Sequence, residues 1–312
     1  MKKFTHAYLA FMAIKRLQYG PIPEENKADA KALVKWFHSY RDFVIEGSWY
    51  PDEVIKDMAT SHVIKYRPND DGIPRAFKKL PKTMQLQILG KKSPLFGKNF
   101  EIVSGNLADR CESIAHSIVD DFKVLTVEDK GCPIAPTNNH IALRFFMLSH
   151  YIADCHMPLH CDDRPFSSGE NIHGYLETQW DNQVKKSYKV DTANERFFYD
   201  PDGYPMPDKV TALMQAVEDD AINREFVYGW GTGNGNTWDY MSAISEYSYL
   251  MAHELIPTHY DQTLTKAQYK ATESWAKFED YSKVILCDTV DSIARVWLHV
   301  WARYRDWAGK KK

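Results

Sequence analysis

Cysteine is sparse in this chain and follows no pattern. The five residues, Cys111, Cys132, Cys155, Cys161 and Cys287, are odd in number and include no Cys-x-x-Cys pair. That excludes a disulfide scaffold and leaves them as reduced, small core residues. An excess of charge is also missing. Lys and Arg number 39 against 42 Asp and Glu, a formal net charge of −3, so no global basic field advertises nucleic acid or an anionic membrane. No run of 18 apolar residues occurs, which excludes a membrane-spanning helix. Strand alternation, internal repeats and low-complexity linkers are absent as well.

What is present is 44% hydrophobic residues, 13% of the chain being aromatic, over 312 positions. That suffices for a substantial core. The dominant period is helical. "THAYLAFMAIKRLQ" and "ADAKALVKWFHSYRDFVIEG" are amphipathic, the second ending in Gly47 as a stop signal. "LADRCESIAHSIVDDFKVL" is a third such segment. "PTNNHIALRFFMLSHYIADCHM" follows, with Thr137 or Asn138 as N-cap and Pro158 at its exit. "SGENIHGYLETQWDNQVKK" reads as a loop feeding a helix. "DYMSAISEYSYLMAHELI" and the span from Lys266 to Trp307 read as long helices. The expectation is one all-α domain over 1–312. "FFYDPDGYPMPD" and "YGWGTGNGNTWDY" form aromatic and glycine-rich loops suited to rimming a site.

Chemistry concentrates in "HYIADCHMPLH", residues 150–160. His150 and Asp154 are four apart, so they leave one helix face a turn apart and can grip one metal together. Pro158 turns the chain, and His160 follows from another direction. His173 and Glu177 in "HGYLE" repeat the i, i+4 His–carboxylate spacing. A single His-x3-Asp is commonplace, but two such pairs plus His160 within 28 residues are not. Imidazoles with carboxylates and no paired thiolates suit catalytic zinc. Iron or manganese come second, because di-iron bundles use Glu-x-x-His. His156 faces away from His150 and Asp154 and reads as a neighbour of the ligands or a structural residue. Cys155 and Cys161 fall outside the metal sphere, and Asp181 reads as a solvated helix residue.

Upstream, "GSWYPD" places Asp52 after Pro51, His62 lies ten residues on, and "FTHAY" contributes His6. With these motifs in this order, the chain resembles the bacterial zinc-dependent phospholipases C of the alpha-toxin type. It resembles the related single-strand-specific zinc nucleases too. The motif-bearing part is 1–185. The resemblance implies an all-α fold and up to three Zn2+ ions. It assigns Asp52, His62, His150 and Asp154 to the first, and His160, His173 and Glu177 to the second. His6, the other Asp154 oxygen and the amino-terminal amine and carbonyl are assigned to the third. Members usually begin with a tryptophan whose amine binds that third ion, whereas here Met1 stands five residues before His6.

In such a centre neighbouring cations neutralise non-bridging phosphate oxygens and lower the pKa of a bridging water. Asp52 is the candidate proton acceptor, or a ligand with no proton role. "GSWYPD", the terminal His-x3-Glu, and the 12 residues between His160 and His173 favour the phospholipase branch, with a phospholipid substrate. Membrane contact would then run through the aromatic loops. The alternatives are a nuclease or nucleotidase, the only reading with a nucleic-acid partner, and a non-catalytic zinc-stabilised binding module. No obligate protein partner is evident. "MKKFTHAYLAFMAIKR" superficially resembles a leader, but His6 interrupts its apolar stretch and no small-residue cleavage site follows. The expectation is therefore a cytoplasmic chain, although the enzymes it resembles are usually secreted.

Overall fold

The computed structural model describes residues 1–71, 76–127, 135–227 and 235–310. Among these, thirteen α-helices dominate and strands are few and short. The longest, α13 (Phe278–Lys310), has 33 residues and so runs for about 50 Å. It packs against α1 (Lys3–Tyr19), α2 (Glu24–His38), α5 (Leu107–Thr126), α6 (Asn138–His156) and α9 (Ala212–Asn223). α10 (Thr237–Leu255) lies against α5, α6 and the short α4 (Gln85–Gly90) and α7 (Pro158–Cys161). No described helix is long and apolar enough to cross a membrane.

α1, read from sequence as amphipathic, is instead buried on nearly every face from Phe4 to Leu17, with Lys15 alone partly exposed. A network of buried charges ties its far end to the core. Arg16 donates to Asp291 at 2.5 Å and to the Ala221 and Arg224 carbonyls at 3.2 Å. Arg295 donates to the other Asp291 oxygen at 2.7 Å. Both guanidinium groups stack on the Phe226 ring, at 5.2 and 4.9 Å.

Several sequence expectations need correction. The span 266–307, read as long helix, is broken into α11 (Lys266–Lys270), α12 (Glu273–Ala276) and α13, with Thr265 and Thr272 capping the two short ones. The amphipathic run 28–47 is not one helix. α2 ends at His38, a 3-10 turn covers Arg41–Phe43, and α3 (Val44–Tyr50) carries on through Gly47. A Cβ on Gly47 would stand 2.6 Å from Phe146 Cβ, so this glycine permits the close approach of α3 to α6 rather than stopping a helix. Strands also exist. β1 (Lys65–Pro68) pairs antiparallel with β2 (Phe100–Ser104), and β3 (Val190–Asp191) with β4 (Arg196–Phe197). Elements of two to five residues are too short to display a period of two.

The aromatic loop 197–208 turns mostly inward. Phe197 packs edge-on against Phe4 at 5.3 Å, Tyr204 is buried, and of the loop's aromatics only Phe198 stands well exposed. The glycine-rich part of the second loop, 228–234, lies outside the described residues, as does Cys132. Cys111, Cys155, Cys161 and Cys287 are free and buried.

Candidate metal centre

Six segments deliver the candidate ligands to one place. α6 begins under Thr137, whose side chain accepts from the His140 amide, and carries His150 and Asp154 on one face in its last two turns. α3 continues into a π-helical turn, Pro51–Ile55, which holds Asp52. The following loop supplies His62, and α7, with Pro158 at its first position, supplies His160. α8 (Ile172–Ser187) supplies His173 and Glu177 one turn apart. α1 supplies His6. Its first turn lacks a cap of its own, and Asp181 of α8 takes that role by accepting from the Phe4 and Thr5 amides at 3.1 and 3.2 Å.

Among the described residues, three groups of side chains could hold a metal ion: His62, His150 and Asp154; His6, Asp52 and His150; and His160, His173 and Glu177. The first is the tightest. His62 Nδ1 and His150 Nε2 are 3.1 Å apart, and they lie 2.8 and 3.2 Å from Asp154 Oδ2. Asp52 Oδ1 completes the set at 3.4 and 3.6 Å from the two nitrogens. Zinc bonds to nitrogen and oxygen of roughly 2.0–2.2 Å put tetrahedral donors about 3.3–3.6 Å apart; the two Asp52 separations fall in that range, and the other three, at 2.8–3.2 Å, are a few tenths of an ångström closer.

The imidazoles are also turned as ligands need to be. His150 Nδ1 lies 2.6 Å from the Ser48 carbonyl and His160 Nδ1 lies 2.9 Å from the His62 carbonyl. A carbonyl only accepts, so on both rings Nδ1 carries a proton and Nε2 is the nitrogen turned to the centre. His62 is reversed, with Nε2 directed at Asp57 Oδ1 (2.8 Å) and Nδ1 facing inward. His173 Nδ1 meets the Ser167 hydroxyl, and its Nε2 is 2.9 Å from Glu177 Oε1. His6 is buried with neither ring nitrogen hydrogen-bonded, its ring stacked on His150 at 3.8 Å. An orphaned buried imidazole is costly as structure and apt as a ligand.

Asp154 joins the groups. Its Oδ2 serves the first set, and its Oδ1 lies 3.6 Å from His6 Nε2, 3.5 Å from His160 Nδ1 and 3.1 Å from the Met1 amine. That amine also lies 2.9 Å from Glu177 Oε1. Burial acts against its charge, but Asp154, Glu177 and Asp52 outweigh burial and raise it to about 11. Burial pushes His160 down to about 4 and, with His150 beside it, holds His6 well below its ordinary value. Both are thus neutral, the ligating form. Burial would lower His150 as well, yet Asp154 and Asp52 raise it to about 9, and the same carboxylates attract a divalent cation.

The remaining residues of the motif do other work. His156 is buried against Ser292 (2.8 Å), pushed down to about 3 by burial, and does not reach the centre. Cys155 donates its thiol proton to the Met241 carbonyl. Asp57 carries no signal in the sequence, and Asp181, expected to be a solvated helix residue, is instead buried and caps α1. Their partners lie five residues away through an irregular turn and 176–177 residues away, separations with no periodic signature.

No protein-family model matches the chain, and no curated protein matches it. Among solved structures it is similar to the alpha-toxin of Clostridium perfringens from an avian strain, with 14% identity and a TM-score of 0.49 over 97% of this chain. It is similar, too, to the alpha toxin of Clostridium absonum, with 16% identity and a TM-score of 0.48 over 100% of this chain. The chain spans 64% of the first toxin's length and 67% of the second's.

Proposed function

We propose that this chain is a zinc-dependent hydrolase of phosphodiester bonds, formed as one domain over 1–312, and that its substrate is a glycerophospholipid cleaved in the manner of a phospholipase C. The observation that carries this reading is the convergence of His62 Nδ1, His150 Nε2, Asp52 Oδ1 and Asp154 Oδ2, whose distances from one another span 2.8–3.6 Å where measured. Beside it stands the His160, His173 and Glu177 group, with Asp154 turned to both. Asp52, His62, His150 and Asp154 would hold one zinc and His160, His173 and Glu177 a second. His6, Asp154 Oδ1 and, where the chain begins at Met1, its amine would hold a third. Zinc held there supplies Lewis acidity toward phosphoryl oxygens and lowers the pKa of water.

The chain's own residues do the rest. The Ser48 and His62 carbonyls fix the orientation of His150 and His160 before substrate arrives, so little reorganisation is left for the reaction. Asp52 is a tenth exposed against 1% for Asp154, which leaves its carboxylate the better placed of the two to take a proton from an attacking water. The short His160–His173 spacing and the closing His-x3-Glu support a lipid over a nucleic-acid substrate, and the exposed Phe198 offers an apolar contact to a lipid surface.

The test is turnover by zinc-loaded protein on phosphatidylcholine in mixed micelles and on single-stranded DNA, with Asp52→Ala beside the parent. Head-group release that Asp52→Ala abolishes while the fold persists is the expected result. DNA cleavage without lipid turnover would overturn the lipid assignment, and zinc binding with silence on both would favour a binding module.

A further inference from the structure

We propose that Asp57 is a positioning residue that fixes which nitrogen of His62 faces the metal centre; the inference rests on the reading of that centre as a metal site. The placement begins with the backbone. The π-helical turn ends at Lys56, which adopts φ 57° and ψ 36° and donates its amide to the Pro51 carbonyl at 2.8 Å. A left-handed lysine is strained, and what it achieves is a reversal of the chain. The Thr60 and Ser61 amides then both donate to the Asp57 carbonyl, at 3.1 and 3.0 Å. That turn swings the His62 ring back over the Asp57 carboxylate.

His62 ends up between two carboxylates. Nε2 is 2.8 Å from Asp57 Oδ1, and Nδ1 is 2.8 Å from Asp154 Oδ2. A neutral imidazole has one proton to give. If the Asp154 side kept it, Nδ1 would be a donor and useless to a cation. If Asp57 keeps it, Nδ1 offers a lone pair beside His150 Nε2. Asp57 is held in position to accept the proton. The Tyr151 hydroxyl lies 3.1 and 3.2 Å from its two oxygens, and Arg110 Nε lies 3.6 Å from Oδ2 with its guanidinium over the Tyr151 ring at 5.3 Å. Tyr151 follows His150 directly, so the helix that presents two ligands also braces the residue that orients a third. Asp57 belongs to none of the three metal-capable groups found among the described residues. It acts through His62, as a carboxylate behind a ligating histidine does.

The experiment uses the full chain, labelled with nitrogen-15 in its histidine rings and loaded with cadmium-113. His62 is identified by the signal lost in His62→Gln. In the parent, His62 should couple to cadmium through Nδ1. Asp57→Ala should abolish that coupling or move it to Nε2, leave the His173 coupling in place, and weaken cadmium binding in chelator competition by about 10–100-fold. Tyr151→Phe should give a smaller loss. Asp57→Leu repeats the test with a side chain of similar size that cannot accept from Nε2, and it keeps the question open to refutation if the alanine variant does not fold. Parent-like affinity and an unchanged Nδ1 coupling in a folded Asp57 variant would overturn the proposal alone. A parent that binds no cadmium would overturn it together with the metal-centre reading. Cadmium binding that depends on Asp57 in a chain without phosphodiesterase activity would uphold it while sinking the proposed activity.

Discussion

Replacing Asp291 by asparagine should cost about 3–5 kcal/mol of stability, the range for leaving a buried charge without its partner. The side chains of Arg16, Asp291 and Arg295 are all 1% exposed or less. Asp291 divides its two oxygens between the guanidinium groups, at 2.5 and 2.7 Å. An asparagine of the same volume removes the charge and turns an amide N–H₂ toward one set of donors. The cations have limited recourse, since Arg16 already spends Nη1 on the backbone carbonyls at the end of α9 and both groups rest on Phe226. An unfolding entropy of about 2.1 cal/mol/K per residue gives about 0.65 kcal/mol/K over 312 residues, so the midpoint should fall by about 5–8 °C. Urea titration and calorimetry read both quantities. The control is Glu24→Gln, whose exposed pair with Lys27 should be worth about 0.5 kcal/mol or less. The acid limb gives a second reading. Burial would raise the Asp291 carboxyl, but Arg295, Arg16 and Arg224 outweigh it and hold it well below the usual range. A depressed folded value means stability present above the unfolded value of about 4 and lost as pH falls below it. The gap between parent and variant should therefore shrink in acid. A variant within about 1 kcal/mol of the parent at neutral pH would refute the assignment of this network as the staple between α1 and α13.

Gly47→Ala should destabilise the chain by about 1–3 kcal/mol, because its Cβ meets Phe146 Cβ at 2.6 Å. It should also weaken zinc binding in competition titrations, since the neighbouring Ser48 carbonyl orients His150; unchanged stability would show that α3 and α6 give way freely. Lys56→Gly should relieve the left-handed backbone and stabilise the chain by up to about 1 kcal/mol after the entropy cost of glycine, with a loss of stability counting against strain there. His6→Ala should lower zinc content by one ion per chain in elemental analysis while the fold persists, and an unchanged content would remove His6 from the ligand set.

Much of the helical frame was legible because α5, α6, α8 and α10 carry long periodic patterns and recognisable ends. Thr137 caps α6 through the His140 amide, and Pro158 opens α7 where the sequence placed a helix exit. The His150–Asp154 and His173–Glu177 pairs were legible for the same reason: each spans a single helical turn. What escaped depends on distance in sequence or on direction in space. Nothing local tells that Gly47 faces Phe146, that Asp181 caps α1 from another helix, or that Phe197 points into the core while Phe198 points out. Asp57 was overlooked because it meets His62 through a left-handed turn, where no periodic rule applies.

Zinc content and zinc environment, measured on reconstituted and dialysed protein by elemental analysis and X-ray absorption, test the central claim most directly. The buried His–carboxylate groups should retain two to three zinc ions per chain, with nitrogen and oxygen neighbours and no sulfur. Asp154→Ala should empty more than one site, because its two oxygens face different groups. A parent chain that retains no zinc after dialysis, or holds it through sulfur, would contradict the reading of this cluster as a metal centre.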